Sequence, residues 1–220
     1  MGASSTSAKG PARRPSRRAF WLKQLHSWHW ISSAISLVGL LLFAGTGLTL
    51  NHAGAIKATP TVRSPTAQLP PPLARLTRVG ETGQDQPDVK KPLPPAVADW
   101  VVDRFGVRAT GEAEWSATDI YLPLPRPGGD AWIAIARDTG VVTSEFTDRG
   151  WVSYLNDLHK GRNAGTAWFW FIDVFAVACF AFALTGLVLL QLHARRRPST
   201  WPLVAAGLAI PAAVAAFLIH

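Results

Sequence analysis

The chain has 220 residues, 48% of them hydrophobic and only 16% charged, with ten Trp and a formal net charge of +8. This balance leans away from an ordinary soluble domain and towards a membrane protein. Most of the surplus Lys and Arg flanks apolar runs, as membrane topology demands, so the charge is not read as a nucleic-acid patch. The single cysteine, Cys179, excludes an intramolecular disulfide.

Residues 1–28 form a basic N-terminus with Arg13, Arg14, Arg17, Arg18 and Lys23. Ser16-Arg17-Arg18-Ala19-Phe20 with Leu22 and Lys23 has the form of a twin-arginine export signal, and Ala53-Gly54-Ala55 that of a signal-peptidase site. Residues 31–50 carry no charge. That run is longer than the roughly 7 to 15 apolar residues of a cleaved signal, so an uncleaved first span over 29–52 is expected.

Residues 53–95 contain Pro70-Pro71-Pro72 and Pro94-Pro95 and show no apolar period, which predicts an extended linker. Residues 96–150 then predict a small α+β domain. Val97, Val101 and Phe105 share one helix face that Gly106 ends, and strand-like stretches follow at 112–116, 119–124, 131–137 and 141–146. Asp138-Thr139-Gly140 suits a hairpin loop. Asp99, Asp103, Glu112, Glu114 and Asp119 are spaced as a solvated face rather than a hydrolytic pair. No histidine lies between His52 and His159, so no zinc site is expected inside the domain.

After a short pre-membrane segment at 151–165, residues 166–193 form a second span with Asp173 as its one acidic residue. A loop at 194–200 carries Arg195, Arg196 and Arg197, and a third span is expected at 201–219. The basic clusters before the first span and after the second belong on the cytoplasmic side by the positive-inside rule. The α+β domain and His220 are then expected outside. Trp28, Trp30, Trp168 and Trp170 stand where interfacial aromatic belts form.

Five of the six histidines flank the two longer spans: His26, His29 and His52 around the first, His159 and His193 around the second. Thr46-Gly47-Leu48 precedes His52, and Thr185-Gly186-Leu187 precedes His193, so the two spans end alike. In antiparallel helices this echo is inverted. It pairs His52 with His159 at one face and His193 with His26 or His29 at the other. Neutral imidazole is a good haem ligand, and Gly47 and Gly186 would let a flat macrocycle approach the helix backbone. Arg195 to Arg197, Lys160 and Arg162 are suited to propionates. His29 and His52 lie 23 residues apart, about 35 Å along a helix, so two such irons would be well separated. The rings of Trp168, Phe169, Trp170 and Phe171 lie on the second helix.

Leu25-His26-Ser27-Trp28 before a run ending Thr46-Gly47-Leu48 and Asn51-His52, with Leu155-Asn156-Asp157-Leu158-His159-Lys160-Gly161 before a run containing Leu184-Thr185-Gly186-Leu187, resembles the membrane proteins with PepSY-associated transmembrane helices. The resemblance implies a three-span bacterial inner-membrane protein with a PepSY-like periplasmic module. Larger members resemble ferric-siderophore reductases that carry haem b on such histidines, which implies a ferric-reductase-like electron-transfer subunit. Other members are membrane partners of extracytoplasmic redox or peptidase systems, which implies a non-catalytic module that binds a periplasmic protein. This chain departs from the larger members in being short, with one soluble module.

Overall fold

The computed structural model describes residues 16–78 and 89–219. Arg13, Arg14 and His220 lie outside the described residues. The chain divides into two compact units, Met1–Leu40 with Asp173–His220, and Leu41–Ile172.

The first unit is helical. It holds the N-terminal part of α1 (Arg17–Asn51), most of α5 (Gly165–His193) and α6 (Thr200–Leu218). All three helices are long and apolar enough to cross a membrane. A one-turn 3-10 helix, Ala194–Arg196, follows α5. Within this unit α1 and α5 run antiparallel, because His29 meets Thr185 and, ten residues further along α1, Gly39 meets Phe175, ten residues back along α5. A Cβ on Gly39 would collide with the Phe175 ring, so only glycine permits that approach. Ser32 and Ser36 are the buried residues of α1, and their hydroxyls donate to Trp28 O and Ser32 O at 2.7 Å. A small-residue stripe thus forms the tight face of the helix, with its polar atoms satisfied inside the helix itself.

The second unit is built on a seven-stranded antiparallel sheet in the order β1-β7-β6-β5-β4-β3, with β2 also pairing β7. The strands are β1 (Thr61–Arg63), β2 (Thr66–Gln68), β3 (Val89–Lys91), β4 (Ala113–Trp115), β5 (Asp119–Pro123), β6 (Gly129–Ala136) and β7 (Val141–Asp148). Burial alternates along β6, with Ala131, Ile133 and Ile135 inward, as period-two patterning requires for a half-buried strand. The core joins Ile120, Leu122, Ile133, Ile135 and Val142 of the sheet to Val97 and Val101 of α3 (Pro95–Phe105). Pro95 opens α3, and Gly106 ends it at φ 70°, its N–H donating to Val102 O at 2.9 Å. Two further helices are α2 (Pro71–Ala74) and α4 (Gly150–Lys160). Lys90 and Glu114 face each other across β3 and β4 at 2.8 Å. The Glu114 hydrogen bond and charge raise the ammonium above its usual range, a surface pair of small energetic value.

The region expected as a linker, 53–95, is in good part structured. β1, β2 and β3 join the sheet from it, and Leu69 and Leu93 are buried in the core. The prolines do not prevent this, because Pro60, Pro65 and Pro70 fall between and beside the strands, where no ladder N–H is required. Strands of three residues are too short to show a period. The segment expected only as pre-membrane, 151–165, contains α4.

Ile133 is fully buried, whereas Val141 is 38% exposed. Ile133→Ala should destabilise the sheet unit by about 2–5 kcal/mol and Val141→Ala by under about 1 kcal/mol, measured by urea unfolding of the full chain in detergent.

Candidate functional site

In each unit a histidine reaches across to a Thr-Gly pair on another helix. In the helical unit His29 Nδ1 lies 3.0 Å from Thr185 Oγ1, the imidazole stacks on Phe182 at 4.9 Å, and Gly186 lies beneath its Cε1. In the sheet unit His159, on α4, places Nδ1 2.8 Å from Thr46 Oγ1 and Cε1 over Gly47, against Phe43. A Cβ would come within 3.3 Å of the ring at Gly186 and 3.5 Å at Gly47. At Gly186 that is tighter than usual contact, so the glycine leaves room for the ring, whereas at Gly47 it is ordinary van der Waals contact. The space expected for a macrocycle over each glycine is taken by a histidine ring.

The direction of these bonds follows from proton counting. Thr185 donates to Ala181 O at 2.7 Å and Thr46 to Leu42 O at 2.9 Å. With each hydroxyl's one proton on that carbonyl, the imidazole is the donor. The other three histidines are exposed and bond to their own helices. His26 Nδ1 donates to Leu22 O at 2.8 Å, His52 Nδ1 to Leu48 O at 3.0 Å, and His193 Nδ1 to Leu189 O at 2.8 Å. The hydrogen-bond network thus assigns the same tautomer to all five, with the proton on Nδ1 and the free lone pair of the neutral ring on Nε2. That is the state of a metal-ligating histidine, oriented by an oxygen on its other nitrogen.

His29 and His193 line one groove of about 640 Å³ with Gly186, Leu190, Arg197 and Thr200. His26 is not among its lining residues, so of the two candidates it is His29 that shares a groove with His193. Gly186 and His193 are seven residues apart, which puts both on one helix face. Among the described residues no group of three or more His, Cys, Asp or Glu could hold a metal ion. A bis-histidine haem needs only two.

At the other end, the seven-residue motif Leu155 to Gly161 performs several tasks. Asn156 accepts from the Thr49 hydroxyl at 2.8 Å, and His159 holds Thr46, so α4 grips α1 at two successive turns. Buried Asp157 accepts the Gly128 N–H at 2.9 Å and pairs with Arg162 Nε at 3.1 Å, which ties α4 to the β5–β6 loop. Gly161 closes α4 at φ 68°, and Trp168 Nε1 donates to Leu158 O at 2.8 Å. Lys160 and Arg162 line a cleft of about 530 Å³ with the Arg149–Asp130 ion pair. Thr46 and Thr185, which orient the two crossing histidines, were visible in the sequence only as part of the echo. The signal was the Thr before each Gly.

Three apolar helices and an antiparallel sheet unit define a membrane protein with a PepSY-like domain. Residues 20–220 match the model of the PepSY_TM-like family, and the chain belongs to that family. No curated protein and no solved structure matches it.

Asp157→Ala should destabilise the sheet unit by about 1–3 kcal/mol, since it leaves the Gly128 N–H buried without a partner. Arg162→Ala removes only the half-exposed partner and should cost under about 1 kcal/mol. Thermal unfolding followed by near-ultraviolet circular dichroism compares the two. Equal losses would show that the Gly128 bond is not what Asp157 supplies.

Proposed function

We propose that this protein is a haem-b-binding electron-transfer subunit of a bacterial inner membrane. Its sheet domain faces the periplasm and delivers electrons to a ferric or protein acceptor there. The observation that carries the proposal is the groove in which His29 and His193 meet Gly186 and Arg197, both imidazoles tied through Nδ1. Arg17, Arg18 and Lys23 before the first span, with Arg195 to Arg197 after the second, favour cytoplasmic placement of that end.

The donor set fits the group. Thr185 accepts the His29 Nδ1–H and so fixes the ring with Nε2 free. The Leu189 carbonyl does the same for His193. Arg197, one of the groove's lining residues, would pair with a propionate, and Phe182, Leu187 and Leu190 give the groove apolar lining against which a macrocycle would lie. Haem b held by two histidines supplies one-electron transfer without an open coordination position. His52 and His159 are the pair proposed for the far end, with His159 oriented by Thr46.

One observation favours a second reading. The imidazoles fill the space over both glycines, as a helix-packing clasp would, and a non-catalytic anchored module that binds a periplasmic partner needs nothing more. Spectra of the chain purified from haem-replete cells, oxidised and then dithionite-reduced, separate the two. A bis-histidine b-type spectrum is expected, lost in part on His29→Ala or His193→Ala and kept in His26→Ala. Colourless protein with a stoichiometric bound partner would establish the module instead. Thr185→Val should weaken haem affinity about 10–100-fold, and Thr185→Ser should restore it, measured by haem titration of the apoprotein.

A further inference from the structure

A cleft of about 650 Å³ in the sheet unit contains none of the five histidines. Arg63 closes β1, Arg104 stands in the last turn of α3, and Arg126 lies in the β5–β6 loop. All three guanidinium-bearing residues line the cleft with Phe105 and Phe146, and Asp148 is its one acidic residue. Three positive charges against one negative leave it at +2. Asp148 is already engaged, 3.6 Å from Arg126 Nη2, which also donates to Thr147 O at 3.3 Å. The sheet register sets the floor, since Arg63 pairs with Phe146 across β1 and β7.

Residues far apart in sequence thus bring like charges into one concavity. Each guanidinium presents a planar fork suited to two oxygens of a carboxylate or phosphate. The half-buried Phe105 and Phe146 add apolar surface that a hydrated inorganic ion cannot use. The volume falls in the range of small-molecule sites. We propose that this cleft binds an organic anion carrying two or more carboxylate or phosphate groups on a compact, partly apolar body. The site is independent of the haem groove and stands or falls apart from it.

The test is calorimetric titration of the full chain in neutral detergent at low salt with phthalate, citrate and inorganic phosphate. One-to-one binding is expected, strongest for phthalate and weakened by salt. Arg104→Gln and Arg63→Gln should each weaken it at least about tenfold. Both residues are exposed, so an unchanged melting temperature confirms that the variants fold. Repeating the citrate titration in nanodiscs with and without phosphatidylglycerol separates the sources of the anion. Competition by that lipid, which carries one phosphate, would assign the site to a headgroup and overturn the proposal of a polyanion, whereas its absence assigns the site to a soluble anion. No binding of any of the three anions at about 10 mM, or equal binding by the Arg63→Gln/Arg104→Gln double variant, would overturn the proposal.

Discussion

A polar group between membrane helices has no bulk water to fall back on, so the helices themselves must satisfy it. This constraint shapes His29, and His159, on the short helix α4 outside the spans, repeats the arrangement against α1. Each needs room, which a glycine gives by lacking a Cβ, and each needs an oxygen for Nδ1–H, which the preceding threonine gives. The threonine is available as an acceptor because its own proton is spent on the carbonyl one turn back. Thr-Gly is therefore a receptor for an imidazole from another helix, used once on α5 and once on α1. Close packing and hydrogen bonding are met by the same two residues; a Cβ would crowd the ring at Gly186, while at Gly47 it would reach ordinary contact.

The sheet unit depends on the same economy. Between Asn156 and Gly161, α4 binds α1 through Thr49 and Thr46 and the β5–β6 loop through Asp157. Asp157 is buried, and its charge is tolerable because a backbone N–H and the Arg162 guanidinium both address it. A histidine that touches α1 and an aspartate that touches the sheet are only two residues apart. Arg126, in the anion-binding cleft, belongs to that same β5–β6 loop.

The three spans were legible because about twenty consecutive uncharged, apolar residues seldom occur outside a membrane, the α3 face and strands β5 to β7 because their periods run for several residues, and the three-residue β4 only through the turn signals beside it. β1, β2 and β3 were not legible. Three residues between prolines carry no period, and their membership in the sheet is decided by partners on β7 and β4, distant in sequence. At the site, the histidines and the Thr-Gly echo could be named. Their hydrogen-bond partners could not, because nothing in the spacing marks which threonine or carbonyl oxygen each imidazole bonds. The structure gives His26, His52 and His193 to their own carbonyls, through the i−4 geometry that any helical histidine can reach.

What distinguishes His29 from a packing residue is the nitrogen left over. Its Nδ1 is bonded to Thr185, while Nε2 has no hydrogen-bond partner among the described residues. Yet no buried side-chain nitrogen or oxygen among them lacks a partner, so Nε2 reaches the surface, and the surface His29 lines is the groove shared with His193 and Arg197. A phenyl ring would stack on Phe182 as well but would make no bond to Thr185. Imidazole thus adds to the packing over Gly186 a bond to Thr185 and a nitrogen at the groove that His193 also lines.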